Sequence, residues 1–258
     1  MDDIIVLDLE TQKSFDEVGG HDHADKLLIS VCVIYSYNDD KYYDYRENQL
    51  KELGEKLKTA KLIVGFNSKH FDFTVLQPYL DYDLKTLPHL DILEEVTKTL
   101  GHRLKLDSIA HSTLGAGKSG DGLDAIWYFK NNDWEKLTRY CTDDVRVTME
   151  VYQYAKNHGF LWFNQAGTLT KIPTNWTEGE TVTNLVNKSL TGGNQIEIQY
   201  LQPNGQPKIK QTIDVKSING DRVQAWCQET QMLSVYNLPQ IYSAKIVGKQ
   251  ENFQTTLF

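Results

Sequence analysis

Apolar residues in the first two thirds of the chain form short continuous runs and longer segments with helical spacing. Strands are predicted in IIVLDLE, KLLISVCVIYSY, KYYDYREN and LIVGFN. The continuous apolar runs in the first and last of these are typical of buried strands. Leucines three and four residues apart predict a helix from Gln49 to Thr59. Residues 71–157 have a mostly helical pattern, and the longest helix there should begin near Asp133 and end before Gly159. This order of elements predicts a mixed α/β fold.

The pattern changes after about residue 160. The polar stretch IPTNWTEGET indicates a boundary, and TVTNLVNKSL after it predicts a short helix. Four alternating runs follow, QIEIQYL, IKQTIDVKSI, DRVQAWCQ and SVYNL, separated in part by Pro-Asn-Gly and Asn-Gly turns. Short strands spaced by turns are typical of a small β-barrel.

Composition places the chain among ordinary globular proteins. It has 258 residues, of which 40% are hydrophobic and 24% are charged. No segment approaches the roughly 18 apolar residues of a membrane span, and the acidic start is unlike a secretory signal. The three cysteines are odd in number and far apart, which fits a reduced protein without a zinc motif. We therefore expect a cytoplasmic protein with no membrane partner.

Net charge bears on the class of ligand. The chain carries a formal charge of −8, and residues 1–176 account for it with 20 Lys and Arg against 28 Asp and Glu. Residues 177–258 carry 7 of each kind. Composition therefore does not indicate a basic nucleic-acid groove, but an acidic first region is compatible with a divalent-metal site.

Two carboxylates lie on the first predicted strand. Side chains alternate along a strand, so Asp8 and Glu10 share a face with Val6. Like charges side by side near a core are costly unless the strand end is open to water or a cation lies there. Alternatively, Asp8 begins a turn and Glu10 lies outside the sheet.

Two further acidic positions come later in the chain. Asp72 follows the strand LIVGFN and begins a helix, where an Asp is usually a cap, and Asn67 before it is a candidate turn residue. Asp144 lies one helical turn after Tyr140, so the two share a face of the long helix. We expect Asp143 to be an ordinary solvated residue.

Taken in order, these motifs resemble the three exonuclease motifs of the DEDD family in its tyrosine-containing branch, which has a ribonuclease-H-like fold. VLDLET supplies the first motif, Asn67 to Asp72 the second, and Tyr140 to Asp144 the third. The histidine branch would require His where this chain has Arg139. The resemblance covers about residues 1–158.

The resemblance implies a metal-dependent 3′–5′ exonuclease that releases 5′-nucleotides. Asp8, Glu10, Asp72 and Asp144 would hold two divalent cations, Mg²⁺ or Mn²⁺, and Tyr140 would orient the attacking water. The partner would be nucleic acid with a free 3′ end, and single-stranded DNA is favoured. The alternatives are an exoribonuclease of the same fold and a non-catalytic binding or regulatory module. The pathway stays open between DNA repair and defence against foreign DNA.

Candidate substrate contacts are less specific than the carboxylates. We expect substrate to be contacted by four residues: Thr11, Asn67, Phe71 and Lys118. Lys118 lies in GAGKSGDG, which resembles a phosphate loop but has Ser112 where that motif requires glycine, so we reject an ATP site. Solvation is the alternative for Lys118 and for the basic cluster His102, Arg103 and Lys105. Core packing is favoured for Phe66, and His21 with His23 form only a weak metal motif.

The C-terminal region resembles a WYL-type domain, a small SH3-like β-barrel. The match covers about residues 180–247 and includes the Val-x-Ala-Trp-Cys strand and the aromatic strand at Val235 and Tyr236. The arginines that such domains often carry on the final strand are missing from SVYNLPQIYSAKI, and we interpret Trp226 and Tyr236 as barrel core. The predicted organisation is a ribonuclease-H-like domain at 1–160, a linker at 161–178 and a WYL-like domain at 179–258.

Overall fold

The computed structural model describes residues 3–115 and 122–250. The chain divides into two compact units, one comprising Met1–Ala110 with Gly117–Tyr152 and the other His111–Ala116 with Gln153–Phe258. Within the described residues, no helix is both long and apolar enough to cross a bilayer.

The first unit contains a five-stranded mixed sheet in the order β3-β2-β1-β4-β5. Its strands are β1 (Asp3–Thr11), β2 (Ile29–Ser36), β3 (Lys41–Arg46), β4 (Ala60–Gly65) and β5 (His89–Asp91). The strand pairs β1–β2 and β2–β3 are antiparallel, whereas β1–β4 and β4–β5 are parallel. Because β1 lies at the centre, its apolar residues are covered on both faces, as the continuous pattern predicts.

Seven helices accompany this sheet along the described chain. They are α1 (Phe15–Val18), α2 (Leu50–Lys58), α3 (Asp72–Leu76), α4 (Ile92–Leu100), α5 (Leu106–Leu114), α6 (Gly122–Lys130) and α7 (Trp134–His158). α7 ends at Gly159, whose φ of 77° is a backbone conformation that glycine adopts without steric cost. The mixed α/β architecture, with a sheet flanked by helices, is confirmed.

A buried stripe fixes which face of α7 points inward in the first unit. Leu137, Cys141, Val145 and Thr148 are buried at spacings of three and four residues, and Asp144 is buried on the same side. A stripe at this spacing faces the core in a packed helix. One carboxylate is therefore held among apolar neighbours, which costs free energy unless a cation or hydrogen bonds compensate.

The second unit consists of a hairpin, a helix and an antiparallel sheet. The hairpin is β6 (Phe160–Gln165) with β7 (Thr168–Pro173), and the helix is α8 (Val182–Gly192). The sheet has the order β11-β10-β9-β8-β12, built from β8 (Asn194–Tyr200), β9 (Ile209–Asn219), β10 (Arg222–Cys227), β11 (Met232–Asn237) and β12 (Ile241–Lys249). This separate antiparallel sheet is consistent with the predicted small barrel-like domain.

Three elements differ from the sequence prediction. The segment 161–178, expected to be a linker, contains most of the β6–β7 hairpin, in which alternating residues pair across the Ala166-Gly167 turn. β5 has only three residues, too few for a pattern to stand out in a helical stretch. β12 follows β11 after Leu238–Gln240 and pairs with β8, a long-range contact that local pattern does not indicate.

Candidate metal centre

The first two carboxylates of the candidate site lie at the carboxyl end of the central strand. Asp8 pairs with Val33 and Glu10 with Val31 across β1 and β2, and the register shifts between Glu10 and Thr11. Both acidic side chains are half-buried, unlike the apolar residues before them. Glu10 therefore belongs to the strand, and the alternative in which it lies outside the sheet is wrong.

The long helix α7 brings a third carboxylate to this strand end. Asp8, Glu10 and Asp144 each offer one oxygen atom, and these three oxygens lie within 4.8 Å of one another. Asp144 is only 6% exposed. Tyr140 is also buried and lies one turn earlier on the same helix.

The fourth carboxylate, Asp72, is the first residue of α3 and is only 2% exposed. Its Oδ1 accepts a hydrogen bond from the backbone N–H of Leu9 at 3.1 Å, so it contacts the strand between Asp8 and Glu10. Burial raises the pKa of Asp72 to about 7. Asp72 is thus adjacent to the group of three oxygens, but it is not a member of it at the 4.8 Å separation.

Two buried thiols lie against the carboxylates. Burial raises the pKa of Cys32 and of Cys141 well above the ordinary value, and the negative charge of Asp8 raises both further. Asp72 also raises the pKa of Cys32, and Glu10 that of Cys141. Sγ of Cys141 is 3.6 Å from Oδ2 of Asp8. Concentrated negative charge therefore extends over both the strand and the helix side of the site.

A cavity of about 500 Å³ opens beside these residues. It is lined by Asp8 and Asp144 together with Phe66, Asn67, Leu93, Arg103, Leu104, Lys105, Leu106 and Asp107. Nη2 of Arg103 donates a hydrogen bond to Oδ1 of Asn67 at 2.7 Å. The cavity lining thus contains three carboxylates, of Asp8, Asp107 and Asp144, and two basic residues, Arg103 and Lys105.

Asn67 occupies a strained turn that a buried aspartate stabilises. Its φ is 62°, a left-handed conformation that asparagine tolerates better than most residues. Asp91 accepts backbone hydrogen bonds from Asn67 and Lys69 at 2.9 and 3.0 Å, and it also caps α4 through Leu93 and Glu94. Sequence reasoning did not identify Asp91, although an Asp before the run ILEEV is the usual helix-capping pattern.

Of the other predicted substrate contacts, Thr11 and Phe71 lie within the described residues. Oγ1 of Thr11 donates to the backbone carbonyl of Lys13 at 2.9 Å, so it stabilises a turn at the strand end. Phe71 packs against the core of the first unit, whereas Phe66, for which core packing was favoured, lines the cavity. Lys118 lies outside the described residues.

The two histidines of the weak metal motif lie apart from the acidic group, and the two aromatic residues of the second unit differ in burial. His21 contacts the ring of Phe15 at 4.0 Å between centroids, and Nδ1 of His23 lies 3.4 Å from Nζ of Lys26, so neither joins the acidic group. In the second unit, Tyr236 is part of the buried core, as interpreted, and Trp226 is half-buried.

The donor set fits hard divalent cations. Its three converging ligands are all carboxylate oxygens, which Mg²⁺ and Mn²⁺ prefer over nitrogen or sulfur. Three carboxylate oxygens this close together repel one another. Cations would offset that repulsion, so the residues present fit the metal that the motifs predict.

A family model described as the RNase_H superfamily matches residues 5–156. Because this match covers more than half of the chain, the protein belongs to the RNase H superfamily. The ribonuclease-H-like fold predicted for the first region is confirmed. It is a nuclease fold and indicates a function in processing nucleic acid.

Comparison with solved structures and with curated proteins adds nothing to the family assignment. Among solved structures, the chain is similar to proteasome accessory factor B/C (PafBC) of Arthrobacter aurescens, with 12% identity and a TM-score of 0.27. That match covers 60% of this chain and 22% of the other, and similarity at this level carries no argument about function. No curated protein matches the chain. The WYL-like assignment of the C-terminal region and the predicted domain boundaries stay predictions.

Proposed function

We propose that this protein is a metal-dependent 3′–5′ exonuclease that removes 5′-nucleotides stepwise, with single-stranded DNA as the favoured substrate. The observation that supports this most strongly is the convergence of three carboxylates from two distant parts of the chain. Oxygens of Asp8 and Glu10 on β1 and of Asp144 on α7 lie within 4.8 Å of one another. Their order along the chain is the order of the exonuclease motifs.

In this proposal, Asp8, Glu10 and Asp144 would hold Mg²⁺ or Mn²⁺. Asp72, which accepts a hydrogen bond from the backbone of Leu9, would support the second of two cations. Paired divalent cations activate water at neutral pH and offset charge on both the attacking and leaving oxygens of a phosphodiester. Tyr140, one turn from Asp144, would orient the attacking water through its hydroxyl.

The cavity beside the carboxylates would receive the 3′-terminal nucleotide. Its volume of about 500 Å³ lies in the usual range for a small-molecule site. Arg103 and Lys105 line it and would contact phosphate, and the Arg103–Asn67 hydrogen bond would hold the guanidinium in place. Thr11 and Phe71 remain predicted contacts that do not line this cavity. Lys118 remains a predicted contact and lies outside the described residues.

The test is digestion of an oligonucleotide labelled at its 5′ end. With Mg²⁺ or Mn²⁺ the protein should produce a descending ladder of products, and Asp8→Ala should abolish it. Asp143→Ala is the matched control, because Asp143 neighbours Asp144 on α7 but pairs with Arg146 instead. A folded protein that leaves the oligonucleotide intact across a range of divalent metals would overturn the proposal.

The same assay separates the alternatives. Matched DNA and RNA oligonucleotides, single- and double-stranded, would distinguish the deoxyribonuclease from an exoribonuclease, because 2′-hydroxyl contacts decide that preference. A non-catalytic module acting through the C-terminal sheet would bind oligonucleotide without cleaving it, and its binding would be insensitive to Asp8→Ala.

A further inference from the structure

A second cavity in the first unit shares none of its lining residues with the carboxylate cavity. It measures about 660 Å³. Two aromatic residues, Phe129 at the end of α6 and Trp134 at the start of α7, line it together with Arg46, Ser30 and Gln12. We call it the Trp134 pocket.

Aromatic and guanidinium groups meet in this pocket. The guanidinium carbon of Arg46 lies 4.1 Å from the ring centroid of Trp134, and the rings of Phe129 and Trp134 are edge to face at 5.5 Å. The indole is still 36% exposed. A planar ligand can therefore reach aromatic surface, and both aromatic rings and guanidinium planes are surfaces on which nucleobases stack.

Two polar atoms at the pocket are buried without hydrogen-bond partners. One is Nη1 of Arg46 and the other is Oγ of Ser30, a residue only 1% exposed. The other Arg46 terminal nitrogen, Nη2, donates to Oγ1 of Thr138 at 3.2 Å, so the guanidinium is held in place while one of its ends stays unsatisfied. Leaving buried donors unpaired is costly, and a ligand with acceptor atoms would relieve that cost.

Charge around the pocket selects against an anion. Oδ2 of Asp44 lies 3.8 Å from Nε of Arg46, and Glu47 also lines the cavity. Glu47 accepts hydrogen bonds from Gln12 at 2.8 Å and from Tyr79 at 2.7 Å, so its charge is fixed there. With two carboxylates beside one guanidinium, a phosphate is repelled. A neutral planar group with acceptor atoms on its edge is the better match, and a nucleobase is such a group.

Two residues that line the Trp134 pocket lie close in sequence to residues of the carboxylate site. Gln12 follows β1 two residues after Glu10, and Trp134 lies six residues before Tyr140 on α7, about 9 Å along the helix axis. The strand and the helix that carry the carboxylates therefore also lead to residues of the pocket. Resting on the proposed exonuclease function, we propose that the Trp134 pocket binds a base of the substrate strand upstream of the 3′-terminal nucleotide.

The test compares wild type, Trp134→Ala and the control Trp127→Ala. Trp127 is a more exposed tryptophan, at 57%, on α6 and outside the pocket lining. Two measurements are made on the full chain: anisotropy of a fluorescent twelve-nucleotide DNA in EDTA, and hydrolysis of the p-nitrophenyl ester of thymidine 5′-monophosphate with Mn²⁺. The ester reaches only the carboxylate cavity, whereas the oligonucleotide reaches both.

Trp134→Ala should weaken oligonucleotide binding about tenfold, because stacking of one base on an aromatic side chain contributes about that much to affinity. It should leave ester hydrolysis unchanged. Trp127→Ala should match wild type in both assays. Moving an abasic site stepwise from the 3′ end should find one position that weakens wild-type binding by the same factor and leaves Trp134→Ala unaffected.

Equal oligonucleotide affinity for wild type and Trp134→Ala would overturn the pocket proposal alone, provided that the ester is hydrolysed. Oligonucleotide binding that depends on Trp134, without hydrolysis of ester or DNA, would overturn the exonuclease and leave the pocket as a nucleobase site. A protein that neither binds the oligonucleotide nor hydrolyses the ester would overturn both.

Discussion

The backbone N–H of Leu9 donates a hydrogen bond to Oδ1 of Asp72 at 3.1 Å, across 63 residues of sequence. Leu9 lies between Asp8 and Glu10, so this bond ties the carboxylate of the second motif to the strand that carries the first. The bond is buried, and its geometry depends on α3 beginning at Asp72 directly after the turn that follows β4. The Asp72 side chain therefore links the sheet to the segment after β4 that contains Asn67, a residue of the cavity lining.

Substituting Asp72 should separate this structural bond from the metal-site charge. Asp72→Asn keeps an acceptor for Leu9, whereas Asp72→Ala leaves the buried N–H unsatisfied. We expect the alanine variant to be about 1–3 kcal/mol less stable than the asparagine variant in urea unfolding with EDTA. Both variants should lose exonuclease activity. Equal stabilities would contradict the role assigned to the bond.

His89 should contribute a measurable dependence of stability on pH. Burial lowers its pKa to about 4, so the folded protein keeps the ring neutral where the unfolded chain, with a pKa near 6.5, takes up a proton. The free energy of unfolding therefore has its full value above about pH 7. It decreases as the pH drops, by about 2 kcal/mol at pH 5.

His89→Gln should remove that part of the pH dependence in urea titrations. His70→Gln, at an exposed histidine beside α3, is the matched control. His158 in the second unit has a pKa lowered to about 4 by the same cause, so only the difference between variants is informative. An unchanged slope in His89→Gln would show that this histidine does not titrate as inferred.

Asp91 should be important for stability although it is outside the acidic group. Four backbone N–H groups donate to its carboxylate, two from the turn at Asn67 and two from the first turn of α4. Asp91→Ala should lower the free energy of unfolding by about 2–4 kcal/mol, since a cap is lost and buried donors are left unpaired. Glu95→Ala on the same helix, which pairs with Lys98 at the surface, should change it by less than about 0.5 kcal/mol.

The cysteines should be unreactive in the folded protein. Cys32, Cys141 and Cys227 are all buried and unpaired as disulfides, and burial raises the pKa of Cys32 and Cys141. Titration with Ellman's reagent should detect essentially no thiol under native conditions and three in denaturant. Rapid reaction of Cys32 or Cys141 in the native protein would contradict the packing of the carboxylate region.

The proposed ligands Asp8 and Asp144 stood out in the sequence through the order of their motifs and because they lie in strongly patterned elements. Asp8 interrupts a continuous apolar strand, and Asp144 lies on the buried stripe of a 25-residue helix, so both are visible as polar residues in apolar surroundings. Asp72 was ambiguous, because an Asp that begins a helix usually serves as a cap.

The rest of the site depends on contacts that no local pattern contains. Arg103 and Asn67 are 36 residues apart, and their hydrogen bond follows from the packing of two loops. The sequence favoured core packing for Phe66 and a substrate contact for Phe71, whereas Phe66 lines the cavity and Phe71 packs against the core. The Trp134 pocket likewise joins residues of β3 and α7 through Arg46 and Trp134, 88 positions apart.

The most direct test of the proposed metal centre is anomalous diffraction from crystals soaked in Mn²⁺. We predict anomalous density between the carboxylates of Asp8, Glu10 and Asp144, with a second peak on the side of Asp72. The density should be absent from Asp8→Ala crystals and unchanged in Asp143→Ala crystals. Wild-type crystals at saturating Mn²⁺ with no density at these oxygens would contradict the two-metal site and the nuclease that depends on it.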